Sequence, residues 1–555
     1  MKFDDIIIEL GEFGRYQRRA YFLIGLVGIA TAAHMLAQVF LAGESDHWCV
    51  VPELKQENCN KWPELSPDAC NAAKKDASIP LQTDDDMEYT YDNCLRYNMT
   101  GIHFYPGIDT TDHTNDTLEC DEGWLYDTSQ YSNTVVIEYD LVCKTSGIVN
   151  LAQSIYFVGV LVGSIGFGML GDWIGRYYAY FIATGLFLVA GIATAFAPNF
   201  TVFIVLRFFV GAAALGTFIS AFTLGTEFVG PSKRTITGIG MQLFFTAGFL
   251  VLALLAFLIR DWFVLQLVIS VPIVLIFPLA FIIVESPRWL ISRGRFDDAE
   301  KIIKDVARVN QRKVPEPLFE EHEKQMVSNE QHQSSVIDLF RTPNMRVRTI
   351  NITFIWFVQS LVYYGLSLST SDLGIDDYLA FFISGIVEVP AIVYCMFGIE
   401  WFGRKPNFVA LMLIGGIACL CTAAIPKGIW LTVVAMIGKF CIAGTFSIIY
   451  VYTVELCPTP VRNAGLGLSS MSSRVGGILA PLILLLGDYW EPLPYVVFGT
   501  LAVAAGLTAL LLPETKGRPL PETLEDGEYF GKDPPLIHEG TSKGHGNAGF
   551  ADDKL

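Results

Sequence analysis

The sequence predicts an all-α membrane protein with twelve transmembrane helices, and its composition is the first observation behind that prediction. Of the 555 residues, 52% are hydrophobic and only 17% are charged, and the mean hydropathy is +0.42. The second observation is that apolar runs of about 18 residues or more, long enough to cross a bilayer as a helix, recur along most of the chain. We place the spans near residues 20–42, 147–170, 178–197, 201–222, 236–258, 263–284, 349–368, 379–399, 406–425, 430–453, 465–486 and 494–513.

The third observation is an internal repeat that divides the spans into two sets of six. An acidic residue, a glycine and an arginine follow span 2 in 171–176 (GDWIGR) and span 8 in 399–404 (IEWFGR). Glu227 after span 4 recurs at the same offset as Glu455 after span 10, and Glu285 after span 6 recurs as Glu514 after span 12. Two related six-helix halves are the simplest explanation of this pattern.

The basic residues of the short loops predict the orientation of the chain. Arginines and lysines precede span 1 and follow the even-numbered spans, and loops rich in them stay in the cytoplasm. The net charge of −18 comes mostly from the segment after span 1, whose acidity argues against a nucleic-acid partner. We therefore expect a multi-pass protein of the plasma membrane with these parts: a cytoplasmic N-terminus (1–19), helix 1 (20–42), an extracellular loop (43–146), the rest of the first half (147–284), a cytoplasmic linker (285–348), the second half (349–513) and a mostly disordered cytoplasmic tail (514–555).

The loop 43–146 has the features of an extracellular domain. Asn98 and Asn115 begin glycosylation sequons. Six of the eleven cysteines lie in this loop, and an even number in an oxidising compartment predicts disulfide bonds, although the sequence does not select among the alternative pairings. These candidates are Cys49, Cys59, Cys70, Cys94, Cys120 and Cys143. The loop is also the candidate surface for a homo-oligomer.

Two charged residues within the predicted spans are candidates for binding a substrate. Glu388 lies in span 8 and Arg474 in span 11, and a charge at the centre of a membrane helix costs roughly 2.5–3.5 kcal/mol on insertion scales. The planar guanidinium of arginine can hold a carboxylate through two hydrogen bonds, and a glutamate provides a counter-charge for an ammonium group. The alternative is that these residues pair only with each other or with the backbone.

Aromatic and polar residues within the spans complete the candidate binding site. Aromatic rings bind quaternary ammonium groups by cation–π contact, worth roughly 0.5–2 kcal/mol each. The aromatic candidates are Phe218, Phe222, Tyr363, Tyr364 and Tyr450. Gln242 in span 5 is a candidate polar contact, and His34 in span 1 is either a further contact or a packed core histidine.

Several segments carry a family resemblance. They are the two acidic-x-x-Gly-Arg loops, 121–127 (DEGWLYD), 285–296 (ESPRWLISRGRF) and 512–517 (LPETKG). With them the chain resembles the organic ion transporter family of the major facilitator superfamily, which includes organic cation, organic anion and carnitine transporters. The segments 387–391 (VEVPA) and 472–476 (SSRVG) look most like the carnitine and ergothioneine subgroup. The resemblance implies the major facilitator fold and transport of a small organic ion by alternating access, without enzymatic activity.

The resemblance also suggests the charge of the substrate. Cation transporters of the family have aspartate at the position of Arg474, whereas anion and carnitine transporters have arginine. Anion transporters tend to have lysine where this chain has Ile392, and histidine at the position of His34. A chain that has both Glu388 and Arg474 is most similar to carriers of zwitterions and cations such as carnitine, ergothioneine and quaternary ammonium compounds. The alternative is an anion transporter that exchanges its substrate for a dicarboxylate, and a more remote one is a membrane receptor.

Charged residues at the predicted cytoplasmic helix ends are candidates for conformational gating. They are Asp172, Arg176, Glu227, Arg234, Glu400, Arg404, Glu455 and Arg462. The resemblance associates Glu455 with sodium dependence, whereas its repeat partner Glu227 favours a structural ion pair between Glu455 and Arg462. We expect no metal site and no cofactor, and coupling to Na+ or H+ stays open.

Overall fold

The computed structural model describes residues 3–55, 66–83, 89–100, 102, 105, 108, 116–312, 318–319, 336–518, 520–521 and 523–531. Within these residues, eleven helices are long and apolar enough to cross a membrane, and a shorter apolar helix comes last. In order, spans 1 to 12 are Arg15–Leu41, Cys143–Ile174, Arg176–Ala195, Phe200–Glu227, Thr237–Leu258, Trp262–Phe281, Pro343–Leu368, Asp377–Phe402, Arg404–Thr422, Ile429–Leu456, Thr459–Asp488 and Leu493–Ala509. The predicted twelve-helix architecture is confirmed, and span 12 is shorter than predicted.

Spans 1 and 6 are each divided into two helical segments. The α-helix Arg15–Leu36 of span 1 is followed by a short helix, Gln38–Leu41. The α-helix Trp262–Ser270 of span 6 continues as the 3₁₀-helix Val271–Phe281, which has Pro272 at its start and Pro278 inside it. Proline lacks a backbone N–H and clashes with the preceding turn of an α-helix, which explains why span 6 leaves the α-helical conformation.

The two halves of the chain pack in equivalent ways. Span 1 packs against span 5 as span 7 packs against span 11, and span 3 packs against span 4 as span 9 packs against span 10. The two main contacts between the halves are also a related pair, span 2 with span 11 and span 5 with span 8. The repeat seen in the sequence is therefore a repeat of the structure, with an interface that runs through the middle of the bundle.

Glycines allow spans 2 and 4 to pack closely. A Cβ atom at Gly163 would overlap the backbone oxygen of Ala212, and one at Gly159 would overlap that of Phe208. Small residues at such crossings let two backbones meet within the membrane, where van der Waals packing drives association between helices.

The loop between spans 1 and 2 contains β-structure that the sequence analysis did not predict. Three antiparallel pairs form here: β1 (His47–Cys49) with β6 (Trp124–Tyr126), β2 (Leu81–Thr83) with β3 (Tyr89–Tyr91), and β4 (Leu95–Tyr97) with β5 (Thr117–Glu119). The helix Pro67–Ser78 begins with a cap in which Ser66 Oγ accepts from Ala69 N. We call the membrane side with this loop the loop face, and the side with the linker helix Phe296–Asn310 the linker face.

Disulfide bonds and a buried arginine hold the loop together. Cys49 is bonded to Cys120 and Cys94 to Cys143, and Cys70 is also disulfide-bonded. Arg96 is 3% exposed, and its Nε and Nη2 donate to Asp121 Oδ1 at 3.1 and 2.9 Å. These hydrogen bonds hold the pKa of the Asp121 carboxyl below its usual value.

Two of the residues predicted for the loop, Cys59 and Asn115, lie outside the described residues. The other glycosylation candidate, Asn98, is half-buried and donates from Nδ2 to Asp116 Oδ2 at 3.3 Å. Glycosylation of both asparagines therefore stays a prediction.

Candidate functional site

An ion pair buried within the second half forms the centre of the site. Glu388 Oε1 lies 2.9 Å from Lys439 Nζ, and the two residues are 2% and 1% exposed. The hydroxyl of Tyr363 donates to Glu388 Oε1 at 2.7 Å, and Lys439 Nζ donates to Ser367 Oγ. Lys439 Nζ also lies 3.8 Å from the centre of the Tyr363 ring. These contacts offset part of the cost of removing two charges from water.

The pair lies against the interface between the halves. Thr246 of span 5 donates from its hydroxyl to Glu388 Oε2 at 3.2 Å. On the same span, Gln242 Oε1 accepts a 2.5 Å hydrogen bond from Ser447 of span 10. Carriers built from repeats bind their substrates at such an interface near the middle of the membrane, so Glu388 and Gln242 are well placed for this role.

Arg474 of span 11 lies near the same aromatic cluster. It is 8% exposed and interacts electrostatically with the hydroxyl groups of Tyr450 and Tyr364. Its buried Nε has no hydrogen-bond partner among the described residues. Tyr364 also interacts with Glu388, and the rings of Tyr363 and Tyr364 lie 5.2 Å apart. The structure thus brings Glu388 and Arg474 to one pair of tyrosines on span 7 without joining them as an ion pair.

The site also reaches the first half through Tyr364. Its hydroxyl donates to Met35 Sδ of span 1 at 3.2 Å, and its ring centre lies 4.6 Å from that of Phe157 in span 2. The predicted residues Phe218 and Phe222 are half-buried on span 4 and pack against the hydrophobic core. The structure does not bring these two phenylalanines into a described contact with Glu388 or Arg474.

His34 is packed inside the first half. It is fully buried, its Nε2 lies 3.4 Å from Ser270 Oγ of span 6, and its ring centre lies 4.8 Å from that of Phe187. Its backbone oxygen accepts a 3.2 Å hydrogen bond from Arg207. These surroundings match the core histidine that the sequence analysis kept as an alternative.

The predicted gating residues form two equivalent networks at the linker face. In the first half, Arg176 contacts Asp172 at 2.8 Å and Glu227 at 3.4 Å. In the second half, Arg404 contacts Glu400 at 3.3 Å and Glu455 at 2.9 Å. Each arginine joins the end of one span to the end of another, as expected for a contact that stabilises one conformation of a bundle.

A glutamate and a glycine complete each network. Glu285 accepts from the backbone N–H of Arg176, and Glu514 accepts from that of Arg404, both at 3.0 Å. A carboxylate at a helix N-terminus pairs with unsatisfied backbone donors and with the positive end of the helix dipole. Burial nevertheless raises the pKa of Glu285 above its usual value. Gly175 and Gly403 have φ of +109° and +97°, and a Cβ atom at either one would crowd the glutamate carboxylate.

The predicted ion pair between Glu455 and Arg462 is wrong. Glu455 accepts from Arg404 Nε at 3.0 Å and from Thr515 Oγ1 at 2.5 Å, whereas Arg462 donates to Cys457 O and Thr459 Oγ1, both at 3.3 Å. Glu455 and Arg462 are seven residues apart in the sequence, but span 10 ends between them, and Arg462 binds the turn that follows this end. The side chain of Arg234, the repeat partner of Arg462, lies outside the described residues.

Hydrogen bonds join the halves at the loop face. Tyr131 in the loop donates to Asp377 Oδ2 at the start of span 8, at 2.7 Å, and Tyr378 donates to Gln130 O at 3.1 Å. The same loop segment is tied to the first half, because Ser132 N donates to Arg260 O at 2.9 Å. Residues 130–132 therefore fasten the end of span 5 to the start of span 8.

Aromatic packing lies below these bonds. The rings of Phe40 and Tyr378 are stacked with centres 5.4 Å apart and 7° between their planes. The ring centres of Phe249 and Phe381 are 4.1 Å apart. The loop face is therefore closed above the Glu388 site by contacts between spans 1, 5 and 8.

Sequence comparisons decide the family. Residues 108–526 match the profile of the sugar (and other) transporter family. An organic cation transporter protein of Drosophila melanogaster is 41% identical over 544 residues, which cover 96% of each chain. Human organic cation/carnitine transporter 2 is 37% identical over 535 residues, 94% of this chain and 93% of that protein. The chain belongs to the organic ion transporters of the major facilitator superfamily. It is therefore a multi-pass membrane transporter and not an enzyme.

Solved structures support the fold of this organic ion transporter. The E. coli proton:xylose symporter XylE bound to 6-bromo-6-deoxy-D-glucose aligns with a TM-score of 0.57 at 16% identity, covering 93% of this chain and 100% of the symporter. Human MFSD10 (TETRAN), an organic anion transporter, aligns with a TM-score of 0.53 at 11% identity, covering 89% and 99%. At these identities the alignments establish the shared major facilitator fold alone.

Several residues of the site were not predicted from the sequence. Lys439, Thr246 and Ser447 contact predicted site residues, and Tyr131 and Asp377 close the loop face. Lys439 left a signal, because a lysine in the middle of an apolar span requires a partner. No sequence pattern indicated Tyr131, because its hydrogen bond joins the loop to a helix 246 residues away.

Proposed function

We propose that this transporter carries small organic cations and zwitterions across the plasma membrane, with carnitine- or ergothioneine-like molecules as the best fit. The observation behind this proposal is that Glu388 and Arg474 approach two adjacent tyrosines of span 7 from different spans: Glu388 accepts a hydrogen bond from Tyr363, and Arg474 interacts with Tyr364. An acidic and a basic group separated by aromatic rings match a molecule with an ammonium at one end and a carboxylate at the other. The names of these two relatives, organic cation transporter and organic cation/carnitine transporter, support the same substrate class.

Each end of the substrate has a separate partner in this proposal. The ammonium contacts the rings of Tyr363 and Tyr364. It competes with Lys439 for the carboxylate of Glu388. The carboxylate binds to Arg474, whose Nε is unpartnered among the described residues. Gln242 and Tyr450 provide polar contacts beside these groups.

An organic anion carrier that exchanges its substrate for a dicarboxylate is the second candidate. One observation favours it: Lys439 already neutralises Glu388, so the three charged residues of the site have a net charge of +1. A substrate that leaves this ion pair intact would then meet only the charge of Arg474. The two proposals differ in one contact. In the first, the carboxylate of Glu388 leaves Lys439 to bind the substrate, and in the second it stays paired with Lys439.

Alternating access gives the contacts at the loop face a role in transport. The bonds of residues 130–132 and the aromatic packing of Phe40 and Phe249 close that side, and they must separate before the site opens there. By the distribution of basic residues, the loop face is extracellular and both termini are cytoplasmic. The loop is also the surface through which we expect any homo-oligomer to form.

Coupling to Na+ or H+ belongs to the same proposal and needs its own measurement. Glu455 is the residue that the family resemblance associates with sodium, and its carboxylate is already shared by Arg404 and Thr515. A role for Glu455 in sodium dependence would require one of these contacts to loosen during the transport cycle.

Uptake of radiolabelled solutes into oocytes that express the chain tests the proposal. The solutes are carnitine, ergothioneine, tetraethylammonium and p-aminohippurate, each measured with and without sodium against uninjected oocytes. Entry of carnitine, ergothioneine or tetraethylammonium supports the proposal, and the sodium arm reports the coupling. Entry of p-aminohippurate alone would replace it with the anion carrier.

A further inference from the structure

A groove at the outer surface of the second half lies apart from the central site. It has a volume of about 500 Å³ and opens at the linker face, between the end of span 8, the start of span 9 and the end of span 12. Phe402, Val409 and Leu510 form its apolar wall, and Lys405 and Lys516 also line it. The groove therefore combines an apolar channel with two positive charges.

These two lysines have no carboxylate partner in the part of the chain that the structure describes. Glu514 also lines the groove, but its oxygens accept from backbone donors: Oε1 from Arg404 N, Thr515 N and Lys516 N at 3.0, 2.9 and 2.8 Å, and Oε2 from Lys405 N at 3.0 Å. Lys516 Nζ donates to Trp401 O at 3.0 Å, which leaves its charge uncompensated.

The repeat shows that the turn itself does not require the lysines. In the first half, Tyr177 occupies the position of Lys405, and Pro287 that of Lys516. Tyr177 N still donates to Glu285, as Lys405 N does to Glu514. The backbone arrangement is thus the same in both halves, and the two lysines are an addition to the second half.

We propose that this groove binds an anionic phospholipid from the leaflet at the linker face. Its phosphate lies between Lys405 and Lys516, and one acyl chain follows the wall formed by Phe402, Val409 and Leu510. The depth fits a lipid headgroup, because the neighbouring Trp401 is 69% exposed and tryptophan concentrates at the membrane–water boundary. In the orientation proposed above, the linker face meets the cytoplasmic leaflet, which carries the anionic lipids.

Binding of defined lipids to the purified full-length chain tests this site. Native mass spectrometry in detergent measures phosphatidylserine and phosphatidylcholine binding to the wild type and to Lys405→Gln/Lys516→Gln. Loss of two hydrogen bonds to a charged phosphate predicts phosphatidylserine binding at least about tenfold weaker in the double variant. Lys144→Gln/Lys427→Gln removes the same charge at the loop face, where these lysines pair with Glu119 and Glu491, and should bind phosphatidylserine like the wild type.

A charge-keeping variant separates loss of the lipid site from misfolding. Lys405→Arg/Lys516→Arg keeps the charge and should retain phosphatidylserine binding, which separates loss of the site from misfolding of the glutamine variant. Equal phosphatidylserine binding by the wild type and the glutamine variant would overturn the proposal. So would phosphatidylcholine that binds the wild type as tightly as phosphatidylserine, or inorganic phosphate that displaces phosphatidylserine at equal concentration.

Discussion

The carboxylate of Glu388 and the ammonium of Lys439 lie 2.9 Å apart in a site where both residues are at most 2% exposed. Two charges on neighbouring spans 8 and 10 thus stabilise each other inside the membrane. Removal of one charge leaves the other without compensation, which costs about 3–5 kcal/mol in buried pairs, whereas removal of both is often close to neutral. This asymmetry separates the structural role of Glu388 from its proposed role in binding.

Glu388→Gln should therefore lower the thermal stability of the purified chain strongly, and Glu388→Gln/Lys439→Met should recover most of the loss. Fluorescence-detected size-exclusion chromatography after heating measures both. Glu491→Gln, which changes an exposed carboxylate paired with the exposed Lys427, is the control and should have little effect. If the double variant is as unstable as the single one, the pair is not coupled. If the stable double variant still transports tetraethylammonium at the wild-type rate, Glu388 is not the counter-charge for the cation.

The hydroxyl of Tyr131 holds the loop face closed in this structure. Tyr131→Phe removes its hydrogen bond to Asp377, and hydrogen bonds to charged groups contribute about 1.5–3 kcal/mol. We expect the variant to populate conformations in which spans 5 and 8 separate at the loop face. Spin labels attached through Leu258→Cys and Leu379→Cys, in a Cys421→Ser background, report that distance, which should lengthen. Tyr489→Phe, which changes an exposed tyrosine, is the control. An unchanged distance distribution in Tyr131→Phe would show that the hydrogen bond to Asp377 does not keep spans 5 and 8 together.

The two turns at the linker face require glycine for two reasons. Gly175 and Gly403 have positive φ, and any Cβ atom there meets the carboxylate of Glu285 or Glu514. Gly428 has the same kind of backbone, with φ +137° and ψ −164°, but a Cβ atom there would meet nothing within 4 Å, so it serves as a control for the backbone effect alone. Alanine at Gly175 or Gly403 should lower the melting temperature clearly more than alanine at Gly428, for which a cost of roughly 1–3 kcal/mol is expected. Equal shifts at all three positions would show that the glutamates move aside freely.

Arg404 and Arg462 should differ in importance, although the sequence suggested a role for both. Arg404→Gln removes contacts to Glu400 and Glu455, while Arg462→Gln removes two 3.3 Å bonds to its own turn. We expect a large fall in the maximal uptake rate for Arg404→Gln and a fall of less than about twofold for Arg462→Gln, at equal surface expression by biotinylation. The reverse order would restore the Glu455–Arg462 pair as the functional contact.

The sequence was sufficient to predict the architecture because membrane spans and repeats leave strong local signals. Apolar length defined the spans, and the recurrence of Asp172 and Arg176 as Glu400 and Arg404 defined the halves. The same recurrence could not identify the partner of Glu455, because that partner comes from another span. Charge partners across a bundle depend on packing, and spacing along one chain segment does not report it.

The predicted binding site stays a prediction, and the structure adds connections that the sequence did not reveal. The structure brings four of the predicted residues close to one another inside the second half: Glu388, Arg474, Tyr363 and Tyr364. The partner Lys439 was visible only as an isolated charge, and the loop contact of Tyr131 depends on a disulfide-bonded segment whose path the sequence does not specify.

Selectivity of uptake after a change at Arg474 tests the central claim most directly. Oocytes expressing the wild type, Arg474→Lys or Arg474→Asp are given carnitine or tetraethylammonium, with surface expression equalised by biotinylation. If Arg474 binds the substrate carboxylate, Arg474→Asp loses carnitine uptake by at least about tenfold while tetraethylammonium uptake survives or rises, and Arg474→Lys is intermediate because an ammonium lacks the two-pronged contact. If carnitine and tetraethylammonium uptake fall together, or carnitine uptake persists in Arg474→Asp, Arg474 does not recognise the carboxylate and the zwitterion site is contradicted.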